Sequence, residues 1–178
     1  MRVVTVDERL VAAVANVAAR TFPLACPPGM PDADVAEFVA THLSEQRFSA
    51  YAADPERLVL AALDDNDAVV GYAMAVRGVP DDEDVQQSVV DRPAVELSKM
   101  YALPEAHGAG VSAALMAGIV GFAQTGGARC VWLGVNQQNA RAQRFYAKQG
   151  FIVSGVKRFR VGSRVEDDYV MVRALAIG

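Results

Sequence analysis

The sequence is poor in the residues that build metal centres and covalent staples. It carries two cysteines and two histidines in 178 residues. Cys26 and Cys130 lie far apart and neither has a histidine at ligand spacing. That excludes a zinc-finger pattern and a disulfide framework, so no metal site is expected, and each thiol reads as a small core or near-core side chain. No apolar run approaches the roughly 20 residues that cross a bilayer, so no membrane span is expected. The opening MRVVTVDERL puts Asp7 and Glu8 where a secretory leader needs its apolar stretch, which makes a cytoplasmic setting the expectation. Positive charge is short as well: 17 Lys and Arg against 21 Asp and Glu leave a net charge of −4, which argues against nucleic acid as a partner.

What is present suits one globular domain over residues 1–178. Hydrophobic residues make up 52% and charged residues 21%, enough apolar surface for a sizeable core. No repeat, linker or low-complexity segment interrupts it. Val3, Val4 and Val6 suggest a first strand. Asp7 is a good N-cap for a helix with Leu10, Val11, Val14 and Val17 on one face. Thr21 to Pro31, with Pro23, Pro27, Pro28, Gly29 and Pro31, reads as a break. Asp32 opens a second helix with Val35, Phe38, Val39 and Leu43 in a stripe. Leu58–Leu63 and Ala68–Val76 flank Asp64-Asp65-Asn66-Asp67, a hairpin pattern. Gly78 to Pro93 is an acidic stretch that reads as a mobile loop.

The chain is organised around Val95 to Leu115, VELSKMYALPEAHGAGVSAAL. Val95, Leu97, Tyr101 and Leu103 predict a strand, and Pro104 favours an extended residue before it. Gly108 and Gly110 follow in a loop of small residues, and a helix from about Gly110 to Gln124 ends at Gly126-Gly127. A helix opening after such a loop has unpaired N–H groups and the positive end of its dipole there, which suits phosphate oxygens. Arg129 to Val135 is a further buried strand with Trp132 in the core. Asn139 begins a short helix ending at Gly150. Phe151–Val161 and Asp168–Leu175 form a closing antiparallel pair, where a homodimer contact is also conceivable. The result is an α/β domain around a mixed sheet.

Three phosphate ligands compete for the glycine loop. A P-loop needs Lys-Ser/Thr after its glycines, and here Gly110 is followed by Val111-Ser112. A dinucleotide fingerprint is formally matched by Gly108-Ala109-Gly110-Val111-Ser112-Ala113. Five residues, however, separate the strand from the first glycine, and the next strand ends at Val135-Asn136 without an acidic residue for a ribose. The third reading joins two motifs. L-x-x-x-H-G-x-G-V-S-x-x-L from Leu103 and N-x-x-A-x-x-F-Y-x-x-x-G-F from Asn139 together resemble the GNAT family of N-acetyltransferases. ELSKMYALPE, RTFPLACPP and HLSEQRF are most similar to its bacterial polyamine acetyltransferase-like branch.

That resemblance implies a single-domain fold with a mixed, mostly antiparallel central sheet splayed at the cofactor site and flanked by helices. It implies acetyl-CoA as co-substrate and a primary amine of a small molecule or peptide as acceptor. The loop amides of His107, Gly108, Ala109, Gly110, Val111 and Ser112 would hold the pyrophosphate. The backbone of Tyr101, Ala102 and Leu103 would bond the pantetheine arm as an added strand does. Asn136 and Asn139 would meet that arm or cap the helix, the small Ala142 would admit it, and Tyr146 would donate to the departing thiolate. Phe145, turned about 100° away, would be core. Glu96 is the carboxylate offered for deprotonating the amine, with an ordinary strand residue beside Lys99 as the other reading. The family usually has Arg or Gln at His107 and Gly or Ala at Ser112, so His107 lacks the fixed fork of arginine. A non-catalytic CoA-binding module of the same fold is the alternative function. Acidic residues between Asp32 and Asp91, and basic ones from Arg141 to Arg173, suggest an acidic acceptor wall and a basic cofactor wall.

Overall fold

A computed structural model describes residues 1–176. Seven strands form one open sheet in the order β1-β2-β3-β4-β5-β7-β6. They are β1 Arg2–Thr5, β2 Arg57–Leu63, β3 Val69–Arg77, β4 Ala94–Ala102, β5 Cys130–Asn136, β6 Ile152–Val161 and β7 Arg164–Ala174. Every neighbouring pair is antiparallel except β4 and β5. The helices are α1 Glu8–Ala25, α2 Asp32–His42, α3 Glu45–Ala53, α4 Glu83–Ser88, α5 Val111–Thr125 and α6 Ala140–Lys148.

Helices cover both faces. On one, α1 and α3 bury Val14, Val17, Phe22 and Phe48 against Val59, Tyr72 and Met74. On the other, α5 buries Leu115, Met116 and Ile119 against Ala62, Ala73, Leu97, Val131 and Leu133. A third cluster joins Val85 and Val89 to Ala94, Cys130, Trp132 and Val170. Regular stretches of strand alternate between these faces as their period of two requires, and irregularities beside Val70 on β3, Ser98 on β4 and Ser154 on β6 interrupt that alternation. The one on β4 bears on the site. Ser98 is skipped in the pairing, since Met74 opposes Lys99 while Ala75 opposes Leu97. This bulge turns the strand over: Val95 and Leu97 pack on the α5 face, whereas Tyr101 and Leu103 pack on the α1 face.

Three expectations change. The first helix runs through Thr21 to Ala25 with Pro23 inside it, so the break begins only at Cys26. Burial of Phe22, and its stacking on Phe38 at 4.4 Å, outweigh the missing Pro23 donor near the helix end. α3 went unanticipated because Phe48 is its only buried residue; Ser44 caps it by accepting from Arg47 N–H. The Gly78–Pro93 stretch is not a free loop. Asp82 caps α4, and Val85 and Val89 are fully buried, so the segment is pinned to the core. Phe122 of α5 packs against the core beneath that helix and carries the Arg77 guanidinium over its ring at 4.3 Å.

Candidate active site

β4 and β5 are hydrogen-bonded only where Ala94–Glu96 meets Cys130–Trp132. Beyond that point β4 stays with β3 and β5 stays with β7, so the two diverge into a V. Twist accumulated by each half of the sheet has no ladder to oppose it there. The facing edges past Glu96 and Trp132 keep backbone donors and acceptors that no strand uses, as an edge strand does. A cavity of about 490 Å³ occupies the V and reaches both faces of the sheet.

On the α5 face the cavity meets the glycine loop. Gly108 and Gly110 have φ of +86° and +78°, the left-handed region that glycine enters without cost. The amides divide into two sets. His107 N–H is taken by Pro104 O at 3.1 Å and Ala109 N–H by Ala106 O at 3.3 Å. Those of Gly108, Gly110, Val111 and Ser112 have no partner among the described residues. The cradle is therefore narrower than the run from His107 to Ser112 expected from the sequence, because a 3-10 turn at Pro104–Ala106 uses two of its donors. The His107 ring neither faces solvent alone nor joins the cradle; its Nε2 lies 3.2 Å from Ala102 O. Gly71 on β3 lets α5 sit close, for a Cβ there would stand 2.7 Å from Val111 Cγ1 and 2.9 Å from Tyr101 O.

α6 lines the same cavity with Asn139, Ala142, Phe145 and Tyr146. Asn139 is its N-cap, accepting from Ala142 N–H at 3.1 Å, and Asn136 Oδ1 accepts from Gln138 N–H at 2.8 Å. Both side-chain oxygens are thus committed locally and their amide donors remain. Tyr146 packs on Phe151 at 5.8 Å, and burial pushes its phenol up to about 12. It stays protonated at any working pH and so keeps an O–H to donate. Phe145 is half-buried: it packs against the α5-face core and also lines the cavity.

The opposite face supplies the other walls. Phe22, Phe38, Met30, Leu43 and Phe159 form an apolar end. Because of the Ser98 bulge, Glu96, Lys99 and Tyr101 project to this face together. Glu96 sits at the closed tip of the V; burial pushes its carboxyl up while Lys157 and Lys99 oppose the rise. It makes no ion pair within 4.0 Å among the described residues, so the pairing with Lys99 does not form. Burial, with Tyr146 nearby, drives the Tyr101 phenol up.

Two carboxylates not singled out from the sequence also line the cavity: Glu166 and Asp168 on β7. Their signal was available, since both occupy the buried phase of a strand whose next inward residue is Val170. Glu166 lies 3.2 Å from Arg164. Asp168 Oδ1 and Glu166 Oε1 have no hydrogen-bond partner among the described residues, and burial pushes the Asp168 carboxyl up to about 6. Conversely, no acidic residue between Asp32 and Asp91 lines the cavity. The acidic wall comes from β4 and β7 because the stretch that carries most acidic residues folds around the outside. Of the basic run, Arg141 and Lys157 reach the cavity. Among the described residues no group of three or more His, Cys, Asp or Glu could hold a metal ion, and no helix is long and apolar enough to cross a membrane.

Comparison with known proteins agrees with this geometry. The family described as Acetyltransferase (GNAT) matches residues 13–151. An uncharacterized N-acetyltransferase of Mycobacterium tuberculosis is 52% identical over 162 residues, covering 91% of this chain and 96% of that protein. The PaiA N-acetyltransferase of Thermoplasma acidophilum, solved in complex with coenzyme A, superposes with a TM-score of 0.75 at 16% identity over 98% of this chain and 100% of that one. The ribosomal-protein-S18-alanine N-acetyltransferase of Escherichia coli gives 0.69 at 16% identity, over 99% and 95%. At such identities these likenesses establish the fold.

Proposed function

Because the chain belongs to the acetyltransferase (GNAT) family, we propose that it moves an acetyl group from acetyl-CoA to a primary amine of a small molecule or peptide by direct attack. The observation that carries this reading is the V between β4 and β5, with free helix-terminal N–H groups at one end and the Tyr146 phenol facing its interior.

Acetyl-CoA is a substrate, and the chain has groups that fit it. Gly108, Gly110, Val111 and Ser112 offer N–H donors at a helix N-terminus, where diphosphate oxygens gain both hydrogen bonds and the dipole. The free edge of β4 at Tyr101 and Ala102 offers amide partners to an extended pantetheine chain, whereas Leu103, expected to share in this, spends its N–H on Val70 O and its carbonyl on Ala106 N–H. Asn136 and Asn139 retain side-chain donors beside it, and Ala142 leaves room. An amine attacks only through its lone pair, so an ammonium must first lose a proton to a carboxylate of the wall: Glu96, Glu166 or Asp168. The nitrogen then bonds the thioester carbon as the carbon–sulfur bond breaks, and Tyr146 donates to the sulfur as charge develops there. A phenol pushed up to about 12 contributes mainly a strengthening hydrogen bond. A cytoplasmic setting accords with acetyl-CoA as donor. The exposed Ile152, Val153 and Val156 of the edge strand β6 support a homodimer through that edge.

A thiol-release assay with acetyl-CoA against a panel of alkylamines, aminoglycosides and peptides tests the proposal. Amine-dependent release, with the acetylated product identified by mass, is the expected result. Tight acetyl-CoA binding with no release for any acceptor would favour a non-catalytic CoA-binding module.

A further inference from the structure

Asp168 is 6% exposed, lines the cavity, and leaves Oδ1 without any partner among the described residues. A buried carboxylate oxygen in a folded protein normally has a donor, and where it has none a ligand is a physical candidate to supply it. The cavity that it lines gives a ligand room. A Cβ at Gly134 would collide with Lys157 Cε and stand 3.2 Å from both Asp168 Oδ2 and Lys157 Nζ. Glycine at 134 therefore lets Lys157 and Asp168 lie over β5. They make no ion pair within 4.0 Å.

Position separates Asp168 from the other two carboxylates. Glu96 opposes Trp132, the last hydrogen-bonded pair at the closed tip of the V, and feels mainly Lys157, Lys99 and Arg57. Asp168 opposes Asn136, four residues further along β5 towards the open end, and its carboxyl reaches back over Gly134. Tyr101, Tyr146 and Asp168 line the same cavity. Glu166 Oε1 also lacks a hydrogen-bond partner among the described residues, but it stands 3.2 Å from Arg164 and beyond the end of the β5 pairing. The apolar end formed by Phe22, Phe38 and Phe159 lies on the same face.

Resting on the acetyltransferase reading, we propose that Asp168, not Glu96, receives the acceptor's ammonium and takes its proton, and that the acceptor is an alkylammonium whose apolar chain lies along Phe38 and Phe159. One N–H bond of the ammonium breaks, its electron pair stays on nitrogen, and the proton passes to an Asp168 oxygen. That pair forms the carbon–nitrogen bond; the carbon–sulfur pair leaves with sulfur, to which the Tyr146 phenol donates a hydrogen bond. The second proton lost by the nitrogen passes to sulfur, the phenol stays neutral, and Asp168 releases its own proton to water, one proton per ammonium consumed. The charged and titratable groups around Asp168 are Lys157 on β6, Glu166 and Asp167 on β7, Glu96, Lys99 and Tyr101 on β4, and Arg141 and Tyr146 on α6.

The test measures kcat/KM for alkylamines across pH 5 to 9 for the wild type, Asp168→Asn, Asp168→Ala and Glu96→Gln, with acetyl-CoA affinity by calorimetry. Asp168→Asn should lose about 100-fold or more in kcat/KM, keep acetyl-CoA affinity within about twofold, and lose the rising limb centred near pH 6. Added formate should restore activity to Asp168→Ala, and Glu96→Gln should lose less than about fivefold. Asp168→Asn within about threefold of wild type, failure of formate rescue, or a larger loss in Glu96→Gln overturns the proposal and leaves the acetyltransferase reading standing. Wild type inert towards every amine overturns that reading, and this proposal with it.

Discussion

Replacing Gly71 by alanine probes how closely α5 is held to the sheet. The glycine has ordinary negative φ, so alanine brings no backbone strain; its whole effect is contact. The added Cβ would stand 2.7 Å from Val111 Cγ1 and 2.9 Å from Tyr101 O, against an ordinary contact of roughly 3.5 Å. Tyr101 O is strand backbone and cannot retreat, so the first turn of α5 must move outward by roughly 0.7 Å or more. Overpacking of this kind costs about 1–3 kcal/mol, a drop in Tm of roughly 2–10 °C for a chain of this size. The same displacement stretches a hydrogen bond at a helix N–H from about 2.9 Å to about 3.6 Å, where it no longer holds. Losing one charge-assisted bond to a diphosphate weakens acetyl-CoA binding by about 10–100-fold. Thermal unfolding and calorimetry with acetyl-CoA read both effects. Gly121→Ala is the control on the same helix: a Cβ there meets nothing within 4 Å, so it should stabilise by about 0.5–1 kcal/mol and leave affinity alone. A Gly71→Ala protein with wild-type Tm and wild-type acetyl-CoA affinity would refute the reasoning.

Tyr146→Phe should lower kcat by about 10–100-fold with acetyl-CoA affinity within about twofold; an unchanged kcat removes the phenol from the reaction. Folded Asp168 holds its proton up to about pH 6, whereas the ordinary value is 3.8. Its contribution to stability is therefore complete below about pH 4 and is lost as pH rises through 6. Asp168→Asn should accordingly gain about 1–2 kcal/mol over the wild type at pH 7.5 and nothing at pH 4, and parallel melting curves at both pH values would contradict the buried-carboxylate argument. Val85→Ala should cost about 1–3 kcal/mol and speed amide exchange across Glu83–Ser88; a neutral change would mean the segment is as loose as its acidic composition suggests.

Local signals read well wherever a residue's neighbours in sequence are also its physical partners. Asp7 caps α1 by accepting from Arg9 N–H, Asp64 Oδ1 closes the hairpin by accepting from Asn66 and Ala68 N–H, and Asn139 caps α6. They read poorly where distant packing decides. Pro23 stays inside α1 because Phe22 is buried beside Phe38, and α4 exists because Val85 and Val89 have Trp132 to cover. The strand from Val95 to Leu103 was legible as a strand, but its faces were not: strict alternation puts Leu97 and Tyr101 on one side, and the bulge at Ser98 separates them.

The order of elements, the glycine bend before α5 and the aromatic pair of α6 are properties of spacing, which the chain fixes by itself. Which carboxylates face the V is a different matter. Glu166 and Asp168 join Glu96 only after β7 has crossed to β5, and the acidic run before β4 is carried to the outside by the same topology. Charge along a chain is a one-dimensional quantity, whereas the field in a cavity depends on which strands are neighbours; only the folded sheet decides that.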